Sequence, residues 1–70
     1  MAAAKKIKML LVEREMTLTD LAKLLGKSLS NMSTKMKRDN FSEKDLMEIA
    51  NVLDFDYEVV FSDRRSDKTF

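Results

Sequence analysis

Residues 27–38 carry side chains that are suited to contact with a polyanion. This stretch has four basic residues, no acidic residue and five short hydrogen-bonding side chains. Short polar side chains let a helix backbone approach base edges in a DNA groove, and Lys and Arg neutralise phosphates. The residue types therefore predict a helix that contacts nucleic acid. A simpler alternative is a polar helix of poor intrinsic propensity that tertiary packing holds in place.

The net charge of +1 conceals an uneven distribution of charge along the 70 residues. Residues 1–41 hold nine Lys/Arg and four Asp/Glu, which gives +5, and residues 42–70 hold four and eight, which gives −4. Such asymmetry suggests that the first part meets an anionic partner. The alternative is that these charges only solvate helix faces.

Several classes of function are disfavoured by what the sequence lacks. It has no Cys for a disulfide, no Cys or His for zinc, no HExxH motif and no glycine-rich phosphate loop. A chain this short rarely forms a catalytic pocket, and no apolar run approaches the roughly 18 residues that span a membrane. We therefore expect one cytoplasmic domain over residues 1–70 that is not an enzyme and binds no metal, cofactor, small molecule or membrane.

Apolar spacing predicts four helices over residues 5–54. The first runs over about 5–15, and Thr17 or Thr19 caps the second, which Gly26 ends because a helix C-terminus favours a residue with positive φ. Ser28 caps the third helix, whose Met32 and Met36 point inward. The fourth follows Phe41 and ends near residue 53, and it opens with Ser42 and Asp45 at capping-box spacing.

The period changes to two after residue 54. Apolar and polar residues then alternate, which predicts a half-buried strand over residues 55–61 followed by a turn at 63–67. Residues 68–70 would form a second short strand that folds back. The expected fold is mainly α, a compact four-helix bundle with a helix-turn-helix, followed by a C-terminal β-strand or short hairpin over 55–70.

The central stretch, LTDLAKLLGKSLSNMSTKMKRDNFSEKDLMEIANVLDFD, resembles the helix-turn-helix domains of phage repressors and Cro proteins, the XRE-like class. The resemblance runs from about Ile7 to Asp56, and its specific parts are Ala22, Gly26, Met32 and the capped helix that follows. It implies operator binding as a dimer and transcriptional repression. The motif GKS…N…KRDNF is similar to small repressors of phages or mobile elements, which implies a palindromic operator.

Placed on this pattern, the third helix and its flanks should contact double-stranded DNA. Leu29 has two readings, because it could touch a thymine methyl group or belong to the core. The expected DNA-contacting residues are Thr19, Lys27, Ser28, Leu29, Ser30, Asn31, Ser33, Thr34, Lys35, Lys37 and Arg38.

The segment after residue 54 is the expected homodimer interface. A lone strand leaves backbone N–H and C=O groups unpaired, which invites a second copy. The expected interface residues are Tyr57, Val59, Val60 and Phe61. A monomer whose strand folds back on its own helices is the alternative, as is a dimer that packs through the fourth helix.

A second function class also fits the sequence. The acidic residues of the second half could bind a basic partner or mimic nucleic acid, as in an antitoxin or a phage-encoded inhibitor of a host protein. Alternatively, they form a solvated face that is kept away from DNA.

Overall fold

The computed structural model describes residues 3–70, and they form four helices: α1 (Ala3–Glu13), α2 (Leu18–Leu25), α3 (Leu29–Arg38) and α4 (Glu43–Val52). The expected mainly helical fold is confirmed, although α1 begins and ends two residues earlier than predicted. Within the described residues, no helix combines the length and the apolar character needed to cross a membrane.

One apolar core joins the four helices. Leu21 of α2 is completely buried, and Ile7, Met32 and Ile49 are each no more than 2% exposed, so each helix contributes to the centre. Burying side chains of this size stabilises the fold by roughly 1.5–3 kcal/mol each. The other buried members of the cluster are Ala3, Leu11, Ala22, Phe41 and Leu53.

Side chains at the starts of α2, α3 and α4 accept hydrogen bonds from backbone N–H groups that have no acceptor within the helix. Thr17 and Ser42 form complete capping boxes with Asp20 and Asp45 at the starts of α2 and α4, and the Ser28 hydroxyl accepts the backbone N–H of Asn31. Each cap satisfies backbone donors that the helix leaves unpaired. The caps predicted at Ser28 and Ser42 are confirmed, and Thr17 rather than Thr19 caps α2.

A left-handed residue follows the end of each of the four helices. These residues are Glu15, Gly26, Asp39 and Asp54, with φ between 51° and 67°. After each of them the next residue donates its N–H to a carbonyl five positions earlier. Glu15, Gly26 and Asp54 complete the Schellman arrangement with a second bond, whereas the N–H groups of Asp39 and Asn40 both donate to the Lys35 carbonyl. The sequence indicated such an end at Gly26 alone, because the other three positions lack glycine.

Two side chains fasten helix ends that lie far apart in the sequence. The Asp39 carboxylate accepts the backbone N–H of Ala4 at 2.8 Å and so connects the end of α3 to the start of α1. The Arg14 guanidinium donates to the carbonyls of Leu53 and Asp54 at 2.8 and 3.0 Å and lies over the Phe55 ring. Arg14 thereby satisfies carbonyl groups at the end of α4.

The predicted C-terminal strand is wrong. Residues 55–61 make no ladder, and the described chain holds only an isolated antiparallel bridge between Ser62 and Thr69, where Phe61 and Phe70 exchange backbone hydrogen bonds. Phe55 and Tyr57 are half-buried whereas Phe61 is exposed, so the alternating residues do not share one buried face. A strand needs a partner along its length to pair its backbone groups, and within the described chain the paired residues begin only at Phe61, the last residue of the predicted strand.

Candidate nucleic-acid interface

Helices α2 and α3 form the helix-turn-helix, with residues 26–28 as the turn. Gly26 has φ 67°, which glycine adopts without the steric cost that a Cβ imposes. Ala22 and Met32 are each 1% exposed, and the small Ala22 side chain permits close approach of the two helices. The turn and the buried pair therefore fix the direction in which α3 presents its outer face.

The outer face of α3 is polar and accessible. Met32 and half-buried Met36 occupy its inner side, and the remaining side chains except Lys35 are exposed. Leu29 is 45% exposed, so it lies at the surface and is not one of the buried core residues. The exposed polar residues of this face are Ser30, Asn31, Ser33, Thr34, Lys37 and Arg38.

Two hydroxyl groups at this face already make local hydrogen bonds. The Ser28 hydroxyl accepts from Asn31 N–H at 3.1 Å, and the Thr34 hydroxyl donates to the Ser30 carbonyl at 3.0 Å. A hydroxyl has one donor and two acceptor lone pairs, so Thr34 keeps only acceptor capacity for an outside partner while this bond lasts. Ser28 retains its donor proton.

Lys27 and Lys35 turn towards α4. The Lys35 ammonium lies 2.7 Å from the Asp45 carboxylate, and Lys27 lies 3.7 Å from Asp45 and 3.9 Å from Glu48. The ammonium groups of these two lysines, which we expected to contact phosphates, are thus already paired with carboxylates. Within the described residues, no carboxylate lies at ion-pair distance from Lys37 or Arg38. The unpaired positive charge of α3 lies at its C-terminal end.

Asp45 is the electrostatic centre of this contact between helices. The Lys35 hydrogen bond, followed by the Ser42 backbone N–H, lowers the pKa of Asp45 from 3.8 to about 2. Both donors favour the charged carboxylate over the neutral acid. Asp45 is therefore ionised throughout the neutral range and keeps its two lysine partners.

A shallow depression of about 450 Å³ opens on the outer side of α3. Its lining brings together Ser28, Ser30, Asn31, Thr34 and Lys35, and it also includes Asn40, which was not among the expected DNA-contacting residues. The sequence signal for Asn40 is its place in the KRDNF motif, two positions after the last basic residue of α3. Thr19 is exposed on the first turn of α2, outside this depression.

The arrangement offers hydroxyl and amide groups on one helix face, with cations at its end and no acid on the helix. These are the groups that contact base edges and phosphates. Residues 6–58 match the family model of the Cro/C1-type HTH DNA-binding domain. The chain belongs to this family. No curated protein and no solved structure matches the chain significantly.

The Cro/C1-type match covers nearly all of the helical part and ends inside the segment that follows α4. This protein is therefore a helix-turn-helix DNA-binding protein, and residues 59–70 lie beyond the family match. Of the expected dimer residues, Tyr57 is half-buried against the helices, and Val59, Val60 and Phe61 are 52%, 58% and 71% exposed.

Proposed function

We propose that this Cro/C1-type protein is a sequence-specific transcriptional repressor of phage or mobile-element origin that binds a palindromic operator as a homodimer. Helix α3 lies in the major groove, and binding rather than catalysis is its role. The protein acts in the cytoplasm. The single observation that carries the proposal is the acid-free outer face of α3, presented by a rigid glycine turn.

The residues of this face divide by the contact that their chemistry allows. Ser30, Asn31 and Thr34 are short polar side chains that suit base edges, and exposed Leu29 suits a thymine methyl group. Lys37 and Arg38 suit phosphates. Lys27 and Lys35 bind phosphates only where a DNA phosphate displaces the Asp45 carboxylate from their ammonium groups.

Selection of bound duplexes from a random pool tests the proposal directly. We expect an enriched palindrome whose half-sites lie about 10–10.5 bp apart, one turn of DNA. Ser30→Ala should change the preferred sequence, at about 1–3 kcal/mol for a lost base contact, whereas Lys37→Gln should weaken all sequences alike. If the selection enriches no sequence, or if both variants act identically on selected and random DNA, the assignment is wrong.

The dimer is proposed to form through apolar side chains of residues 59–70. Val59, Val60, Phe61 and Phe70 are each more than half exposed, which favours burial against a second copy. Sedimentation should give twice the 8.1 kDa chain mass for the native protein, and Val59→Asp should give the monomer. Met47→Asp is the matched control, because Met47 on α4 is also 52% exposed.

The two variants also separate the two possible interfaces. Loss of the dimer in Met47→Asp alone would assign the interface to α4, and a native monomer that binds its operator fully would contradict the dimer.

A protein-interaction module is the second candidate function. The exposed apolar side chains beyond residue 58 favour it, because they lie outside the family match and follow the acidic residues Asp54, Asp56 and Glu58, among which no basic residue stands. This candidate predicts that selection enriches no DNA sequence and that a basic protein partner binds residues 54–58 together with the exposed apolar side chains that follow.

A further inference from the structure

A second groove borders α3 on the side of α1. It has a volume of about 730 Å³, and we call it the α1/α3 groove. Lys8 and Val12 line it from α1, Ser33 and Lys37 line it from α3, and Leu11 and Met36 contribute apolar surface. Apolar surface, hydroxyl groups and ammonium groups together match the sugar faces and phosphates of a nucleic-acid backbone.

The charge of this groove distinguishes it from its counterpart on the other side of α1. Among the described residues, the α1/α3 groove has two lysines and no carboxylate in its lining. The opposite groove, between α1 and α4, contains Lys6 together with Asp56 and Glu58. Of the two grooves that border α1, the α1/α3 groove is therefore the one complementary to a polyanion.

The lysines of the α1/α3 groove are also available to a new partner. Within residues 3–70, no carboxylate lies at ion-pair distance from Lys8 or Lys37, whereas Lys27 and Lys35 are held by α4 carboxylates. The two flanks of α3 therefore differ, since the flank towards α4 is neutralised and the flank towards α1 remains positive.

The α1/α3 groove is continuous with the outer face of α3. Ser30, Thr34 and Lys37 belong to both surfaces, so a duplex that lies on α3 also lies at the mouth of the groove. We propose that the groove receives one sugar–phosphate strand of that duplex and that Lys8 is a phosphate-binding residue. This inference rests on the proposed function and adds α1 to the DNA-binding surface.

The salt dependence of binding to a random-sequence duplex tests the assignment, because each phosphate contact contributes about 0.9 to the slope of log affinity against log salt. Lys8→Gln should make the slope less steep by about 0.9 for each bound subunit. The ratio of native to variant affinity should then rise about eightfold for each tenfold decrease in salt if one subunit binds, and about sixtyfold if a dimer binds. Lys8→Arg, which keeps the charge, should retain the native slope.

Lys6→Gln is the matched control, because it removes the same charge from the other side of the same helix. Its slope should stay close to the native value, and the slope of Lys37→Gln should become less steep as that of Lys8→Gln does. Equal slopes for the Lys6 and Lys8 variants, with a less steep slope for Lys37→Gln, would overturn the role of Lys8 and leave the proposed function intact.

If the native protein shows no salt-dependent duplex binding, the proposed function fails as well. If Lys8→Gln changes the sedimentation of the free protein and not the slope, the groove belongs to a protein interface and the inference is wrong.

Discussion

At the scale of single residues, Asp45 connects the stability of the bundle to the charge of its DNA-binding side. It closes the capping box of α4 with Ser42, and its carboxylate binds the ammonium groups of Lys35 and Lys27 at the border of the outer face of α3. Asp45 thus stabilises the fold and at the same time weakens DNA binding, because the lysines that it binds are not available to DNA phosphates. The balance between these roles can be measured by substitution.

Asp45→Asn should destabilise the fold at pH 7 by about 1–2 kcal/mol, because it weakens a cap and removes two ion pairs. The pKa of Asp45 is depressed to about 2, so its stabilisation is complete above the unfolded value near 3.8 and disappears as pH falls towards 2. Urea unfolding of the native and variant proteins should therefore converge at about pH 2.

Asp20→Asn is the control for the Asp45 measurement. Asp20 occupies the same capping-box position in α2, where no lysine bonds to it, so it isolates the contribution of the cap. A loss of stability in Asp45→Asn no greater than that in Asp20→Asn would show that the lysine pairs contribute nothing. The DNA affinity of Asp45→Asn should rise at low salt, as Lys27 and Lys35 become available.

Arg14 has a stabilising role that the sequence did not indicate. Its guanidinium makes two hydrogen bonds to carbonyls beyond α4 and stacks on Phe55, 3.9 Å from the ring centre. Arg14→Lys keeps the charge but loses the planar fork, and it should cost about 1–2 kcal/mol. Arg38→Lys serves as the control in urea unfolding and should leave stability unchanged. Equal unfolding curves for the two variants would contradict the role of Arg14.

At the scale of elements, the helix starts could be read from the sequence and most of the helix ends could not. Ser28 and Ser42 are cap residues whose side chains bond only a few positions away, so local sequence determines them. The ends at Glu15, Asp39 and Asp54 use non-glycine residues, for which positive φ is uncommon, although Asp adopts it more often than Glu does. They persist because contacts distant in sequence hold them, such as Arg14 on the Asp54 carbonyl and Asp39 on Ala4.

The two left-handed ends at Glu15 and Gly26 predict opposite mutational effects. Gly26→Ala should cost about 1 kcal/mol from backbone strain alone, because no atom lies within 4 Å of the added Cβ. Glu15→Gly should raise stability by up to about 1 kcal/mol, since glycine removes the cost of φ 54°. The melting temperatures of the two variants, each compared with that of the native protein, measure these two effects. A destabilised Glu15→Gly would mean that the entropy gained by the unfolded chain exceeds the relieved strain.

The alternating segment after α4 shows why periodicity alone was insufficient. Phe55 is half-buried because it packs against the core, and half-buried Tyr57 lines the groove between α1 and α4. The alternation then continues into exposed residues without a partner strand. A period of two describes which side chains are apolar, but strand formation also needs backbone partners along the segment. The polar residues expected to contact DNA lie mostly on α3 and its preceding turn, with Thr19 apart on α2, and their contacts with DNA stay a prediction. Only the structure revealed the pairing of Lys35 with Asp45.

At the scale of the whole molecule, the helical body and the tail are distinct. The radius of gyration is 13.8 Å, above the roughly 11 Å expected of a compact 70-residue domain, and the longest dimension is 44 Å. Residues 58–70 are all exposed, and none belongs to the core cluster. The core therefore does not depend on them, and their apolar side chains are available for association.

Deletion of residues 59–70 should consequently separate folding from assembly. The truncated chain should unfold at low protein concentration within about 0.5 kcal/mol of the full chain, because the removed residues bury no core side chain. If the tail forms the dimer, the melting temperature of the full chain should rise with protein concentration, and that of the truncated chain should not. Calorimetry over a hundredfold range of concentration measures both effects.

Met47→Asp in the full chain should keep the concentration dependence, because its tail is intact. A truncated chain that melts at a much lower temperature at every concentration would show that the tail supports the helical body itself, and a concentration dependence that survives truncation would assign the dimer to the helices.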